Sequence, residues 1–225
     1  MMWCIPPDQD AAFVAQMEQT LEVYKRPYDS AYPVVCMDEQ PKQLIGDSRP
    51  SLAARPGQPK RVDYEYVREG MCQIWMFAEP LGGWRDVRVS ARKTGPDWAR
   101  QVKALVDDPR FANAVKITLV CDNLNTHELS SLYAAFKPVE ALRIANKLEI
   151  VHTPKHGSWL NVAESELSVL TRQCLGGHIP KQDKVEQKAI HWKDDRNKKQ
   201  TGVKWHFTTD DARIKLQSLY PKIVE

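Results

Sequence analysis

The chain has 225 residues, 42% hydrophobic and 27% charged, with only 10 glycines; this excludes a disordered, collagen-like or fibrous chain and is enough for one sizeable core. No apolar run approaches the roughly 18 residues of a membrane span, the start MMWCIPPDQD does not read as a leader, and five scattered cysteines without CxxC spacing argue against a disulfide framework, so a cytoplasmic globular protein is expected. The net charge is only +3 but uneven: residues 1–30 hold two basic and five acidic residues, 41–61 five basic against one acidic, and 179–206 eight against four, so the last two stretches are solvated faces or phosphate-contacting surfaces.

Phe13, Met17, Leu21 and Tyr24 predict a helix over 8–25. Val34-Val35-Cys36-Met37 is apolar on both faces, as in a strand inside a sheet, and ends on Asp38. Four prolines and two glycines predict an irregular basic loop over 41–61. Met71–Ala78 and Trp84–Val89 form a hairpin turning at Pro80-Leu81-Gly82-Gly83, its second arm alternating as an outer strand does. A helix over 96–106, a strand Val115–Cys121 ending on Asp122, a helix over about 128–145 and a strand Leu148–His152 follow. Three antiparallel-type strands are thus followed by alternating helices and strands, the pattern of a layered α/β domain.

Asp38 and Asp122 both end strands that read as sheet interior, where an uncompensated carboxylate costs several kcal/mol. Each has an ordinary reading as a turn or cap residue. The alternative is a divalent cation: oxygen ligands at the carboxyl ends of neighbouring strands suit Mg²⁺ or Mn²⁺, which keep positions open for phosphate and water. A helix is predicted over 158–174, with an apolar stripe of Leu160, Ala163, Leu167, Leu170 and Cys174. At 100° per residue Glu164 and Glu166 both lie roughly 75–85° from the centre of that stripe, on opposite flanks, so periodicity leaves both open.

With these residues in view, the chain resembles the DDE transposases, in particular the bacterial insertion-sequence group related to mariner elements. The likeness rests on Asp38 in VVCMDE, Asp122 in LVCDNLNTH, which matches an Asp-Asn-x-x-x-His setting, and Glu164 in HTPKHGSWLNVAE, where Ser158, Leu160, Asn161 and Glu164 match a Ser-x-x-Leu-Asn-Pro-x-Glu motif with one residue fewer and Val162 in place of Pro. That motif selects Glu164 over Glu166. The likeness extends from about Tyr32 to Tyr220, including WHFTTDDAR near the end.

The resemblance implies an α/β, RNase H-like fold over 31–225: a mixed five-stranded sheet, three antiparallel strands and then two parallel ones, with helices on both faces. It implies Asp38, Asp122 and Glu164 as catalytic residues and as ligands of two Mg²⁺ or Mn²⁺ ions. DNA strands are then cleaved at transposon ends and joined to target DNA by phosphoryl transfer without a protein nucleophile. His127, Lys155, His156, Trp159 and Asn161 near the acids, Arg49, Arg55, Lys60 and Arg61 in the first basic stretch, and Lys198 and Lys199 in the second are the candidate DNA contacts. The family further implies a homodimer on DNA, a TA target, nucleoid association in a bacterial cytoplasm and no membrane partner. Relatives carry a helix-turn-helix region ahead of the catalytic domain, and here about 30 residues precede the first catalytic strand; residues 1–30 are expected to be a lead-in helix, the connection to or remnant of that region. The rival readings are a truncated, non-catalytic DNA-binding remnant and another RNase H-like nuclease such as a resolvase.

Overall fold

A computed structural model describes residues 10–49, 52–59, 61 and 65–222. Five strands, β1 (Val34–Asp47), β2 (Tyr66–Glu79), β3 (Trp84–Ser90), β4 (Ile117–Cys121) and β5 (Leu148–His152), form one sheet in the order β3-β2-β1-β4-β5. β1, β2 and β3 pair antiparallel, while β1, β4 and β5 pair parallel. The β2–β3 turn needs its glycine: Gly83 has φ +65°, and a Cβ there would lie 2.6 Å from the carbonyl oxygen of Gln200.

Strand alternation divides the core. Cys36, Ile74, Met76, Val87 and Val120 face helices α5 (Val162–Cys174) and α6 (Gln182–Lys199), whereas Val35, Met37, Trp75, Phe77 and Leu119 face α2 (Gly95–Val106), α3 (Leu129–Ala135) and α4 (Pro138–Asn146). Each buried Met or Phe in these layers contributes about 1.5–3 kcal/mol by leaving water. Cys36 and Cys121 are fully buried within these layers. A third cluster packs α1 (Ala11–Lys25) against α7 (Thr209–Lys215) through Phe13, Met17, Leu21, Leu160, Ala212 and Leu219. Asp10 caps α1 by accepting from the amides of Ala12 and Phe13, and the hydroxyl of Tyr24 donates to the carbonyl of Leu160 at 2.7 Å. The lead-in helix is therefore bound into the domain.

Three elements differ from the sequence expectation. Residues 41–47 are not loop: β1 continues to Asp47 and pairs with β2 from Tyr66 onward. β4 reaches β1 only at Val34–Cys36, so Pro41, which lacks an amide donor, has no β4 partner to leave unpaired. Isolated bridges Leu52–Arg61 and Arg55–Gln58 carry the ladder outward as an arm. The helix expected over 128–145 is two helices, because Pro138 ends the first hydrogen-bond ladder and starts a new helix at its first position. The helix expected from Ser158 begins as a 3₁₀ turn, Ser158–Leu160, and α5 proper starts after Asn161.

The sheet and α6 are joined by a buried ionic triad. Arg85 on β3 is 1% exposed and places Nη2 2.7 Å from Glu166 on α5; Arg196 on α6 contacts both oxygens of the same carboxylate at 3.1 Å. Arg85 also donates to the Thr201 carbonyl, and its backbone exchanges two hydrogen bonds with the Asn197 side chain. Removing the shared anion leaves two guanidinium groups without it, one fully enclosed. Glu166→Ala is expected to lower unfolding stability by about 3–5 kcal/mol, whereas Glu164→Ala, at an exposed position of the same helix, is expected to change it by no more than about 0.5 kcal/mol; urea unfolding of both variants measures the difference.

Candidate active site

The parallel register sets Cys36 beside Val120, so the following residues on β1 and β4 bring Asp38 next to Asp122 at the same end of the sheet. Asp38 shares the face of Cys36 and points toward α5. Glu164 stands in the first turn of α5. Asp38, Asp122 and Glu164 line one cleft of about 930 Å³. Their mutual proximity is felt electrostatically: burial pushes the Asp38 carboxyl up to about 7, and the charges of Glu39, Asp122 and Glu164 push in the same direction against a hydrogen bond from the Glu39 amide. Asp38 accepts that bond at 2.8 Å.

Asn161 fixes the third acid relative to the first. Its side-chain oxygen caps α5 by accepting from the Ala163 amide at 3.1 Å, while its Nδ2 donates to the carbonyl of Met37, one residue before Asp38, at 2.8 Å. The residue is 2% exposed and both ends of its amide are used within the domain. The helix start and β1 are thereby tied together three residues before Glu164 and one before Asp38.

Behind the cleft, alternation turns Glu39 to the opposite face of β1 from Asp38. There it meets His127, which is fully buried and stacks on Trp98 at 5.7 Å between ring centroids. Nδ1 of His127 lies 2.5 Å from Oδ1 of Asp122 and Nε2 lies 3.4 Å from Oε2 of Glu39. Neither contact is aligned as a hydrogen bond, since these carboxylate oxygens and Nε2 have no aligned partner among the described residues; the attraction is ionic. Burial by itself would lower the imidazole pKa, but contacts with Asp122, Cys121 and Glu39 outweigh it and hold the ring well above its ordinary value. Glu39, Asp122 and His127 are close enough to share a cation. The 2.5 Å contact between His127 and Asp122 favours a direct ion pair instead, because two ligands of a common ion each about 2.1 Å away stand farther apart than that.

The remaining sequence candidates are distributed unequally. His156 and Trp159 line the cleft, with Lys155 exposed beside them; Trp159 is half-buried and meets Phe207 edge-on at 5.6 Å. Arg49, Arg55 and Arg61 lie on the β1–β2 arm beyond the acids, and Lys60 falls outside the described residues. Lys198 and Lys199 end α6 next to the β2–β3 turn. The register there is two strands from β1 and three residues, roughly 10 Å, from the level of Asp38. The sequence reading missed Glu39; its position after Asp38 on an apolar strand was the available signal, since alternation sends one of two adjacent acids to each face.

The loop before the third acid carries strain. Gly157 donates to the Pro154 carbonyl at 2.8 Å, closing a turn in which His156 has φ +65°, a region that favours glycine. The side chain is exposed, so a neutral substitution would ordinarily be silent. His156→Val is expected to lose about 1 kcal/mol of unfolding stability, because a β-branched residue tolerates this conformation worst, and His156→Gly to lose none; denaturant midpoints of the two variants test this ordering.

A family model described as DDE superfamily endonuclease matches residues 33–186. Among solved structures, the chain is similar to the mariner Mos1 paired end complex with Mg, with 15% identity and a TM-score of 0.52, covering 99% of this chain and 67% of that one. It is also similar to the Mos1 mariner paired end complex with Mn, at 15% identity and a TM-score of 0.48 over 89% of this chain and 65% of that one. For the catalytic domain of Mos1 mariner transposase the figures are 11% and 0.48, over 88% and 96%. The chain therefore spans about two thirds of the chains in the paired-end complexes. A search of curated proteins finds no match. The fold is RNase H-like, with the mixed five-stranded sheet described above.

Proposed function

The chain belongs to the DDE superfamily endonuclease family, and from that membership we propose that it is the catalytic part of a transposase, which cleaves DNA at transposon ends and transfers the freed strand into target DNA. The observation that carries this reading is the meeting of Asp38, Asp122 and Glu164, from β1, the end of β4 and the start of α5, at one cleft.

A cluster of carboxylates in which burial first, and the neighbouring charges after it, push Asp38 up to about 7 is a site built to receive positive charge, and its all-oxygen donor set fits Mg²⁺ or Mn²⁺. Asp38, Asp122 and Glu164 would hold two such ions. When bound, divalent cations supply activation of an attacking water or 3′-hydroxyl and stabilise charge on the leaving oxygen. The chain's own residues do the positioning. His127, backed in turn by Glu39, engages one oxygen of Asp122 from behind the cleft, leaving the carboxylate free to present its other oxygen to the cleft. Asn161 holds Glu164 in register with Asp38. Lys155 and His156, at the lip, are suited to flanking phosphates, and Trp159 to a base freed from its stack. Arg49, Arg55 and Arg61 on the arm, with Lys198 and Lys199 at the end of α6, add salt-sensitive attraction for DNA outside the cleft.

A similar structure is a paired end complex, and our reading extends to this chain acting on DNA as a homodimer. Incubated with supercoiled plasmid and Mn²⁺, the protein is expected to nick or join strands, chelation to abolish the reaction, and Asp122→Asn to slow it by roughly 10³-fold or more. Equal activity in the variant, or none in the wild type, would overturn the assignment and favour a non-catalytic DNA-binding role.

A further inference from the structure

The cleft presents an electrostatic problem that the acids do not solve. Asp38, Asp122 and Glu164 line it with Glu39 close behind, yet the substrate proposed above is a polyanion. Lys93 lies 3.3 Å from Glu39 and is paired with it, and His127 is enclosed between Glu39 and Asp122. Among the described residues lining the cleft, Arg172 is the single lysine or arginine.

Its place on α5 is specific. Val162, Ala163, Glu166, Leu167 and Leu170 are buried, and the helix turns Glu164, Ser165, Ser168 and Arg172 outward, all four lining the cleft. These positions follow one another at helical spacing along one ridge. Thr171, beside it, is occupied with Gln40 at 3.3 Å. Arg172 uses Nε to donate to the Ser168 carbonyl at 3.3 Å and has no ion-pair partner among the described residues. That bond leaves the terminal guanidinium nitrogens available for a bidentate contact with phosphate. Eight residues separate Glu164 from Arg172, about 12 Å along the helix axis, which corresponds to roughly three base steps at ~3.4 Å each.

We infer that the outward ridge of α5, Ser165, Ser168 and Arg172, is the track for the DNA backbone leading away from the acids, with Arg172 anchoring a phosphate about three nucleotides from the scissile one and the two serine hydroxyls donating to the phosphates between. The inference rests on the proposed transposase reading and adds to it the direction in which the strand leaves the site. That direction runs along α5.

Binding without cleavage separates the two ideas. Affinity for a short duplex of arbitrary sequence is measured in Ca²⁺ over a series of salt concentrations, for the wild type, Arg172→Gln and Ser168→Ala. Loss of one phosphate contact by a cation is expected to reduce the slope of log affinity against log salt by about 0.9 for Arg172→Gln. Ser168→Ala, which removes a neutral donor, is expected to weaken binding with the slope intact. An Arg172→Gln protein with the wild-type slope, or a Ser168→Ala protein with wild-type affinity, overturns the track while leaving plasmid nicking by the wild type unaffected. A wild type that binds no duplex removes the functional reading and this inference together.

Discussion

Four carboxylates, Asp38, Glu39, Asp122 and Glu164, crowd around one stretch of β1, and like charges so close resist being folded together. Everything around the site answers that repulsion. The pleat of β1 divides the load between two faces, sending Asp38 toward the cleft and Glu39 toward Trp98 and His127. On the closed face a buried imidazole offsets Glu39 and Asp122, with Lys93 at the edge. On the open face the charge of Asp38 and Glu164 is left without such a partner among the described residues, and that imbalance is the chemical content of the site.

Keeping Glu164 at that open face requires α5 to be held against the repulsion it brings. Asn161 ties its first turn to β1, the hydroxyl of Tyr24 holds the preceding 3₁₀ turn from α1, and the Arg85–Glu166–Arg196 triad anchors the next turn to β3 and α6. Two residues apart on one helix, Glu164 and Glu166 thus have opposite tasks. One is exposed to the cleft, and the other has its charge consumed by two guanidinium groups.

The same accounting alters the meaning of the basic segments. Of the cations in 179–206, Lys193 is paired with Asp86 and Arg196 with Glu166, while in 41–61 the Lys42 ammonium is bound to the Leu175 carbonyl. Part of that positive charge is structural. Charge facing the cleft comes instead from Arg172, in a segment whose composition drew no notice, because a single arginine on an amphipathic helix is invisible to a count over a window.

The sequence by itself determined the strand order, the apolar interior of β1 and β4, the turn at Gly82-Gly83, and the three acids with their spacing, because period-two runs, turn residues and local motifs are written within a few residues. It left α6 and α7 unread, although Thr208 and Asp211 form a capping box at the start of α7. It also misjudged the reach of β1 past Pro41, which depends on how far a neighbouring strand extends. Only the tertiary structure decided that Glu166 is consumed by Arg85 and Arg196, that Glu39 and His127 stand behind Asp122, that Asn161 joins helix to strand, and that Arg172 is the cation on the cleft wall. Each of these is a contact between segments remote in sequence, and burial, pairing and charge compensation come into being only when the sheet and its two helical layers close around one another.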